Sequence, residues 1–456
     1  MIPISLRQIT QITDGKLIGD DVLIEQISTD SRQISKQCLF IALVGERFDA
    51  HTFITSELEQ QASAILVERP LDVEVAQVVV KDTKVAMGKL AAWVQQQCKT
   101  KTMAITGSCG KTTVKEMCAA ILECRGRVLF TAGNFNNDIG VPLTLFRTTP
   151  EDDFSVIELG ANHIGEIAYT TQLVNPSVAL VNNVAAAHLE GFGSLNGVKQ
   201  AKGEIYQGLV GDKVAIVNLD SQGGELWDDV LCDKQVKTFS QHDTTADYHA
   251  ANISIDSQGY PSFEIHTPAG QQQVTLTLIG QHNIANALAA TALTMQFGAT
   301  LEEVVNGLSQ LRPVKGRVET VELAKNVLLI DDSYNASVPA VRAAIDLLAQ
   351  FEGKRWLILG NMAELGQQSL EFHRQLGEHA APFNFDYVLT FGEDARVISS
   401  ECNGLHFDTH VAMIDFIRSE LACSQQATQQ KHTLIVKGAN SAGMFKVAQA
   451  LKERVS

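Results

Sequence analysis

Two rhythms of apolar and polar positions run along the chain. Short continuous apolar runs read as buried strands, and longer stretches with apolar residues three or four apart read as helices. Leu17–Gly19, Leu23–Ile24 and Cys38–Leu43 are strand-like, and Ala62–Val67 and Gln77–Val80 complete a small α/β unit. A helix is predicted over Lys84–Gln97. It leads into the apolar strand Met103–Ile105, and Val114–Cys124 then takes helical spacing with Gly126 as a stop. Arg127–Phe130, Phe154–Gly160, Ser177–Val184 and Lys213–Asn218 are further strands, with a helix over Val198–Leu209. From Tyr248 to Leu278 the pattern alternates residue by residue, which predicts a small antiparallel sheet. Gly280–Asn286 opens an alanine-rich helix reaching Phe297, and Leu311–Arg317 reads as a linker.

Beyond that linker the rhythm repeats. Strands over Val327–Ile330, Trp356–Leu359, Tyr387–Thr390 and Leu434–Lys437 alternate with helices over Pro339–Phe351, Leu370–Ala380, His410–Leu421 and onward from Met444. Such alternation implies a parallel sheet with helices on both faces. The predicted fold is therefore α/β in three domains. Residues 1–82 form a small unit. Residues 83–313 form a central domain with a mostly parallel sheet of the P-loop NTPase type and a small antiparallel sheet. Residues 314–456 form a Rossmann-like domain. That last domain has no G-x-G-x-x-G after its first strand, so it need not bind a nicotinamide.

Composition narrows the class. At 456 residues the chain has length for roughly two to four domains. Its 45% hydrophobic and 19% charged residues are ordinary for a soluble globular protein. A net charge of -16 argues against a general binder of nucleic acid or anionic membrane, while leaving room for a local basic pocket. Met1–Ser5 has no basic region followed by an apolar core, so no signal peptide is expected, and no run reaches membrane-spanning length. The eight cysteines are scattered without a C-x-x-C pair, which fits reduced thiols in a cytoplasmic protein.

The chemistry concentrates at Gly107, Ser108, Cys109, Gly110, Lys111, Thr112 and Thr113, a glycine loop between a strand and a helix. Backbone N–H groups in such a loop cradle phosphate, and the helix N-terminus adds positive potential. Lys111 reaches the terminal phosphates in this reading, and Thr112 holds Mg²⁺. The loop is shorter than the common P-loop, because Ile105 stands where that pattern has its first glycine. Nothing marks Cys109 as a nucleophile. Glu158 closes a buried strand, where parallel sheets present groups to ligands. It suits Mg²⁺ beside Thr112, and equally reads as a solvated strand end. His188 and Lys202 follow later strands. Alone, each is more often a structural histidine and a surface lysine. Asp331–Asp332 after the first strand of the last domain reads as a helix cap or a ribose contact. The loops Gly360–Gly366 and Lys437–Gly443 follow further strands of that domain. The polar clusters Ser28–Arg32 and Gly45–Phe53 read, from composition, as solvated turns.

The stretches TGSCGKTT, GNFNNDIGVPLTL, VIELGAN, NNVAAAHLEGFGS, AKGEIY, GQHNIANALAA, GR, DDSYNA, GNMAELG and VKGANS, in this order, resemble the Mur ligases. STDSR and GERFDAHTF extend the resemblance to the start of the chain. The central motifs are shared with folylpolyglutamate synthetases. GNFNNDIG, DDSYNA and GNMAELG are more specific to the family's D-alanyl-D-alanine-adding branch, and the D-N-P-R of the diaminopimelate-adding branch is absent. The chain departs from the family at Val436–Phe445, where VKGSRSxxME is expected and Ala439–Asn440 stand instead.

The resemblance implies that Gly107–Thr113 bind the ATP phosphates. It implies two Mg²⁺ ions, one on Thr112 and Glu158 and one on His188 and a carbamylated Lys202. His282, Asn283 and Asn286 would lie at the adenine, with Arg317 and Asp332 reaching the nucleotide from the last domain. Ser28, Asp30, Ser31, Arg32, Phe48 and His51 would hold the uridine diphosphate end of the substrate. The implied catalytic residues are Lys111, His188 and Lys202, and the implied partners are UDP-N-acetylmuramoyl-tripeptide and D-alanyl-D-alanine. The expectation is an ADP-forming amide ligase of peptidoglycan precursor synthesis, cytoplasmic and monomeric, without nucleic acid or membrane insertion. Two alternatives stay open: another amide ligase of the superfamily, and a P-loop nucleotide-binding protein without ligation.

Overall fold

The computed structural model describes residues 1–45, 48–427 and 430–453, with the backbone alone at 424–427. Glu46 and Arg47 of the second polar cluster, Gly45–Phe53, lie outside the described residues. Among the described residues the strands gather into three large sheets and one two-residue ladder, Ile4–Ser5 with Leu23–Ile24.

The first sheet orders Lys16–Ile18, Ala76–Val79, Ala64–Val67, Cys38–Ile41 and Gln26–Ser28. Its last four strands are parallel. Cys38–Ile41 and Ala64–Val67 are buried at every position, as strands covered on both faces must be.

The central sheet has nine strands. Gly270–Thr275, Pro261–Thr267 and Tyr248–Ile255 form its antiparallel end. Gln235–Ser240, Val214–Asn218, Val178–Val181, Lys101–Thr106, Phe154–Glu158 and Val128–Phe130 follow, all parallel. The antiparallel strands are thus not a separate sheet. They continue the parallel one where Phe239 pairs with Tyr248. The register matters for function. Ile105 lies opposite Glu158, and Thr106 opposite Val181, so three strand ends line up on one edge. The chain leaves Lys101–Thr106 toward one side and later returns on the other, which opens a crevice at that strand. The helices Lys111–Leu122 and His282–Met295 pack together on one face. Small side chains (Ala287, Ala289, Ala290, Ala292) let His282–Met295 bury almost completely.

The third sheet orders Glu319–Ala324, Val327–Asp332, His432–Lys437, Lys354–Gly360, Tyr387–Phe391 and Leu405–Phe407, parallel except for the first strand. Asp332 pairs in register with Lys437, and Lys437 with Leu359, so the loops after these strands share an edge.

Several elements lie where the pattern assigned neither helix nor strand. Helices form at Leu6–Thr13, Ser56–Gln61, Gly140–Leu145, Glu166–Val174, Leu301–Ser309 and Arg396–Glu401, and strands at Gln235–Ser240, Glu319–Ala324 and Leu405–Phe407. The helix read as Val198–Leu209 runs over Leu195–Gly203 and tightens into a 3₁₀ turn over Glu204–Gly208. No helix among the described residues is long and apolar enough to cross a membrane.

Candidate active site

The glycine loop leaves the strand Lys101–Thr106 and enters the helix Lys111–Leu122 through Gly110, which is left-handed (φ 77°). A Cβ there would stand 2.6 Å from Asn182 Nδ2 and from Asn286 Oδ1. Glycine is required by both conformation and space. The loop is anchored to the neighbouring strand end. Cys109 N–H donates to Asn183 Oδ1 at 2.9 Å, and Asn182 and Asn183 each donate through Nδ2 to Cys109 O at 3.0 Å. Ser108 Oγ accepts from Ala185 N at 2.9 Å. Lys111 folds back, its Nζ donating to Gly107 O at 2.7 Å. Burial pushes its pKa down, and Glu158 opposes that shift. A half-buried cation whose one hydrogen-bond partner among the described residues is a carbonyl is available to an anion. Burial also pushes the Cys109 thiol up, away from thiolate character.

Beside the loop, Thr112 Oγ1 donates to Glu158 Oε2 at 2.9 Å, while Asn136 Nδ2 donates to Glu158 Oε1 at 2.8 Å. Glu158 is 2% exposed, so the solvated strand end is ruled out. Its own N–H donates to Thr131 Oγ1 at 3.0 Å, and buried Lys115 donates to Thr131 O at 2.8 Å. Lys115 also pairs with Glu116 at 2.7 Å.

His188 caps the short helix Leu189–Phe192 in a left-handed conformation. Its Nδ1 is hydrogen-bonded to the Glu364 carboxylate of the third sheet's loops. Burial lowers the His188 pKa, and Glu364 opposes the shift. Lys202 is 1% exposed, so the surface-lysine reading is ruled out. Its Nζ lies 5.3 Å from the centroid of the Phe192 ring and has no hydrogen-bond or ion-pair partner among the described residues. Burial first, then Lys111, lowers its pKa to about 7 against the opposing Glu166 and Glu204. Glu204 itself accepts from Gly165 N at 2.7 Å and Ala168 N at 3.1 Å, holding the start of Glu166–Val174.

From the third sheet, Arg317 stacks 4.2 Å over the Tyr334 ring. Asp332 Oδ2 accepts from buried Lys437 Nζ at 2.5 Å, and Lys437 also donates to Asn335 O at 3.0 Å. Asp332 therefore does not act as a helix cap. Its partner lies on the neighbouring strand, and the helix Val338–Ala349 has Ser337 at its N-cap. A cleft of about 970 Å³ between the two sheet edges collects Ser108–Thr113, Glu158, His188, Lys202, His282 and Asn286 from one side. Arg317, Asp332, Glu364 and Lys437 line it from the other. Asn283 is not on its wall. That side chain is buried, donating to Ile279 O at 2.8 Å and accepting from Asn286 at 3.0 Å, so it positions Asn286.

None of the first-domain candidates lines this cleft. Ser28, Asp30 and Arg32 form one cluster. Ser28 Oγ accepts from Asp30 N at 3.1 Å, and Arg32 holds Asp30 through two nitrogens at 2.9 and 2.8 Å, keeping that carboxyl at about 2. Ser31 lies between them, half-buried, and Phe48 is exposed. His51 is buried with both ring nitrogens engaged, Nδ1 by Asp49 at 2.5 Å and Nε2 by Glu68 N at 2.9 Å. A direct substrate contact from that ring has no free nitrogen to use.

No group of three His, Cys, Asp or Glu side chains gathers among the described residues in a way that holds a metal. The donor chemistry still fits Mg²⁺, which takes one or two protein oxygens and completes its shell with water and phosphate. Thr112 and Glu158 offer such oxygens side by side. Sequence reasoning singled out the loops that carry Glu364 and Lys437 without naming these side chains, and it missed Asn136, Asn182 and Asn183 as site residues and the burial of Lys115 beside the site. All except Lys115 lie at the end of a strand or in the loop that follows one, and that was the available signal.

The chain matches three family models: Mur ligase family, catalytic domain, over residues 23–101; Mur ligase middle domain over 105–294; and Mur ligase, glutamate ligase domain, over 316–440. It is 49% identical to UDP-N-acetylmuramoyl-tripeptide–D-alanyl-D-alanine ligase of Escherichia coli K12, across 99% of both chains. Among solved structures, MurF from Acinetobacter baumannii superposes with a TM-score of 0.93 at 36% identity over 99% of both chains. MurF ligase from Thermotoga maritima in complex with ADP superposes with a TM-score of 0.83 at 26% identity, over 94% of this chain and 97% of that one. With family models spanning most of its length and close relatives covering nearly all of it, the chain belongs to the Mur ligase family.

Proposed function

We propose that this chain is the ATP-dependent ligase that joins D-alanyl-D-alanine to UDP-N-acetylmuramoyl-tripeptide in peptidoglycan precursor synthesis. The observation that carries the reading is the shared cleft. The phosphate loop with Lys111, Thr112 and Glu158 faces Arg317, Asp332 and Lys437 of another sheet across one cavity. The E. coli relative carries this activity in its name, and the Thermotoga relative was crystallised with ADP.

A carboxylate is a poor acyl donor because it has no leaving group. Its oxygen attacks the γ-phosphorus of ATP, ADP departs, and an acyl phosphate forms. The dipeptide amine then attacks the acyl carbon and loses its proton, and phosphate leaves. Catalysis here is positioning and charge neutralisation. Lys111 and the loop amides hold the phosphates. Arg317, Asp332 and the His282–Asn286 helix start hold the nucleoside. Two Mg²⁺ ions would supply charge neutralisation at phosphate oxygens, one held by Thr112 and Glu158, the other by His188 and a carbamylated Lys202. Lys202, buried and without a hydrogen-bond or ion-pair partner among the described residues, fits this modification. Its lowered pKa keeps neutral amine present to attack CO₂, giving an N–COO⁻ group and releasing a proton. Ser28, Asp30, Ser31, Arg32 and Phe48 are the proposed seat of the uridine diphosphate. The reading takes the enzyme as a monomer, and dependence on ATP and a UDP-activated precursor suits the cytoplasm.

The test is phosphate release from UDP-N-acetylmuramoyl-tripeptide, ATP and Mg²⁺, with and without D-alanyl-D-alanine. Sustained release that requires the dipeptide, and is lost in Lys111→Ala, is expected. Release that ignores the dipeptide, or requires a folate substrate, would overturn the assignment.

A further inference from the structure

Glu364 touches the loop of the central domain at two points. Its carboxylate is hydrogen-bonded to His188 Nδ1, and its backbone carbonyl accepts from Glu190 N at 3.1 Å. It belongs to Gly360–Gly366, which follows a strand of the third sheet, whereas His188 and Glu190 follow a strand of the central sheet. Glu364 is itself left-handed (φ 61°), and so is His188 (φ 54°), so the two loops meet through backbone conformations that side chains rarely adopt. The side chain of Glu364 is 47% exposed and supports no core. The His188 ring makes no other hydrogen bond among the described residues, and it lines the cleft.

We propose that Glu364 is a positioning residue that acts through His188 from the far side of the cleft. A carboxylate on Nδ1 requires the proton there. It therefore fixes the imidazole in the Nδ1–H tautomer, fixes the ring's direction, and leaves the Nε2 lone pair for a ligand. The Glu190 contact clamps the backbone on which the carboxylate is mounted. Because the clamp comes from another sheet, His188 is oriented only while that sheet is docked on the central one. Assembly of the reactive site and docking of the last domain are then one event. This rests on the proposed role of His188 as a ligand near the phosphates. The tautomer itself does not depend on that role.

The test compares Glu364→Ala and Glu364→Gln with the wild type, all without nucleotide or metal. In ¹⁵N-histidine NMR, His188 is expected as the Nδ1–H tautomer in the wild type. Glu364→Gln, whose amide oxygen also accepts, should keep that form. Glu364→Ala should shift the ring toward the Nε2–H form. Kinetically, Glu364→Ala should lower kcat by about 10–100-fold, the range for losing a histidine's supporting partner. Its KM for the uridine substrate should hold, and Glu364→Gln should recover part of the rate. An unchanged tautomer in Glu364→Ala, or equal loss in both variants, would overturn the proposal. Absence of dipeptide-dependent turnover in the wild type would instead remove the ligase reading and leave the tautomer result standing.

Discussion

Burial constrains the state of Lys202 strongly. Its pKa is held at about 7, against an ordinary 10.5. Between those values the unfolded chain binds the extra proton and the folded chain does not, so stability rises with pH across that window. Lys202→Met removes the penalty. In protein free of metal and CO₂, the stability advantage of Lys202→Met over the wild type should be large near pH 7 and shrink toward pH 10. A constant difference in thermal melts would contradict the pKa assignment. The carbamate has its own test. Lys202→Ala should lose activity, and short-chain carboxylic acids, not amines, should restore part of it by filling the vacated position. Rescue by amines would make Lys202 a phosphate-binding cation.

At the scale of elements, the phosphate loop depends on Gly110. Any side chain there must adopt a left-handed backbone, costing about 1–2 kcal/mol, and must also displace Asn182 or Asn286. Gly110→Ala should therefore lower the melting temperature and weaken ATP binding by calorimetry at least tenfold. Normal affinity would show that the loop tolerates rearrangement. This loop was legible in the sequence because strand, glycines and helix are contiguous. The strands buried on both faces were legible for the same local reason. The strand Glu319–Ala324 was not, since it is an edge whose residues are all partly or fully exposed. Nor was Leu301–Ser309, although Thr300 and Glu303 form a capping box that a closer reading had available. The convergence of Glu158, Asn182 and the loop was illegible in principle. It follows from a parallel register set by long crossovers, and no local pattern encodes which strands become neighbours. The burial of Lys202 and Lys115 was hidden likewise, because a lysine's surroundings come from distant segments.

For the whole molecule, the first sheet stands apart from the cleft while the other two form it. Recognition of the substrate's uridine end and the chemistry at its peptide end should then be separable. Arg32 is exposed and among the described residues pairs only with Asp30, so its removal leaves stability almost unchanged. Arg32→Ala should raise KM for the uridine substrate about tenfold, as expected for one lost charge-assisted hydrogen bond, with KM for ATP unaffected. Equal changes in both would make Arg32 structural.

The central claim is that the cleft activates a substrate carboxylate by phosphorylation. It is tested most directly with UDP-N-acetylmuramoyl-tripeptide labelled with ¹⁸O in its terminal carboxylate. The account predicts that, as D-alanyl-D-alanine is joined, one labelled oxygen appears in inorganic phosphate for each amide formed. Amide formation with unlabelled phosphate, or with label in AMP, would contradict it.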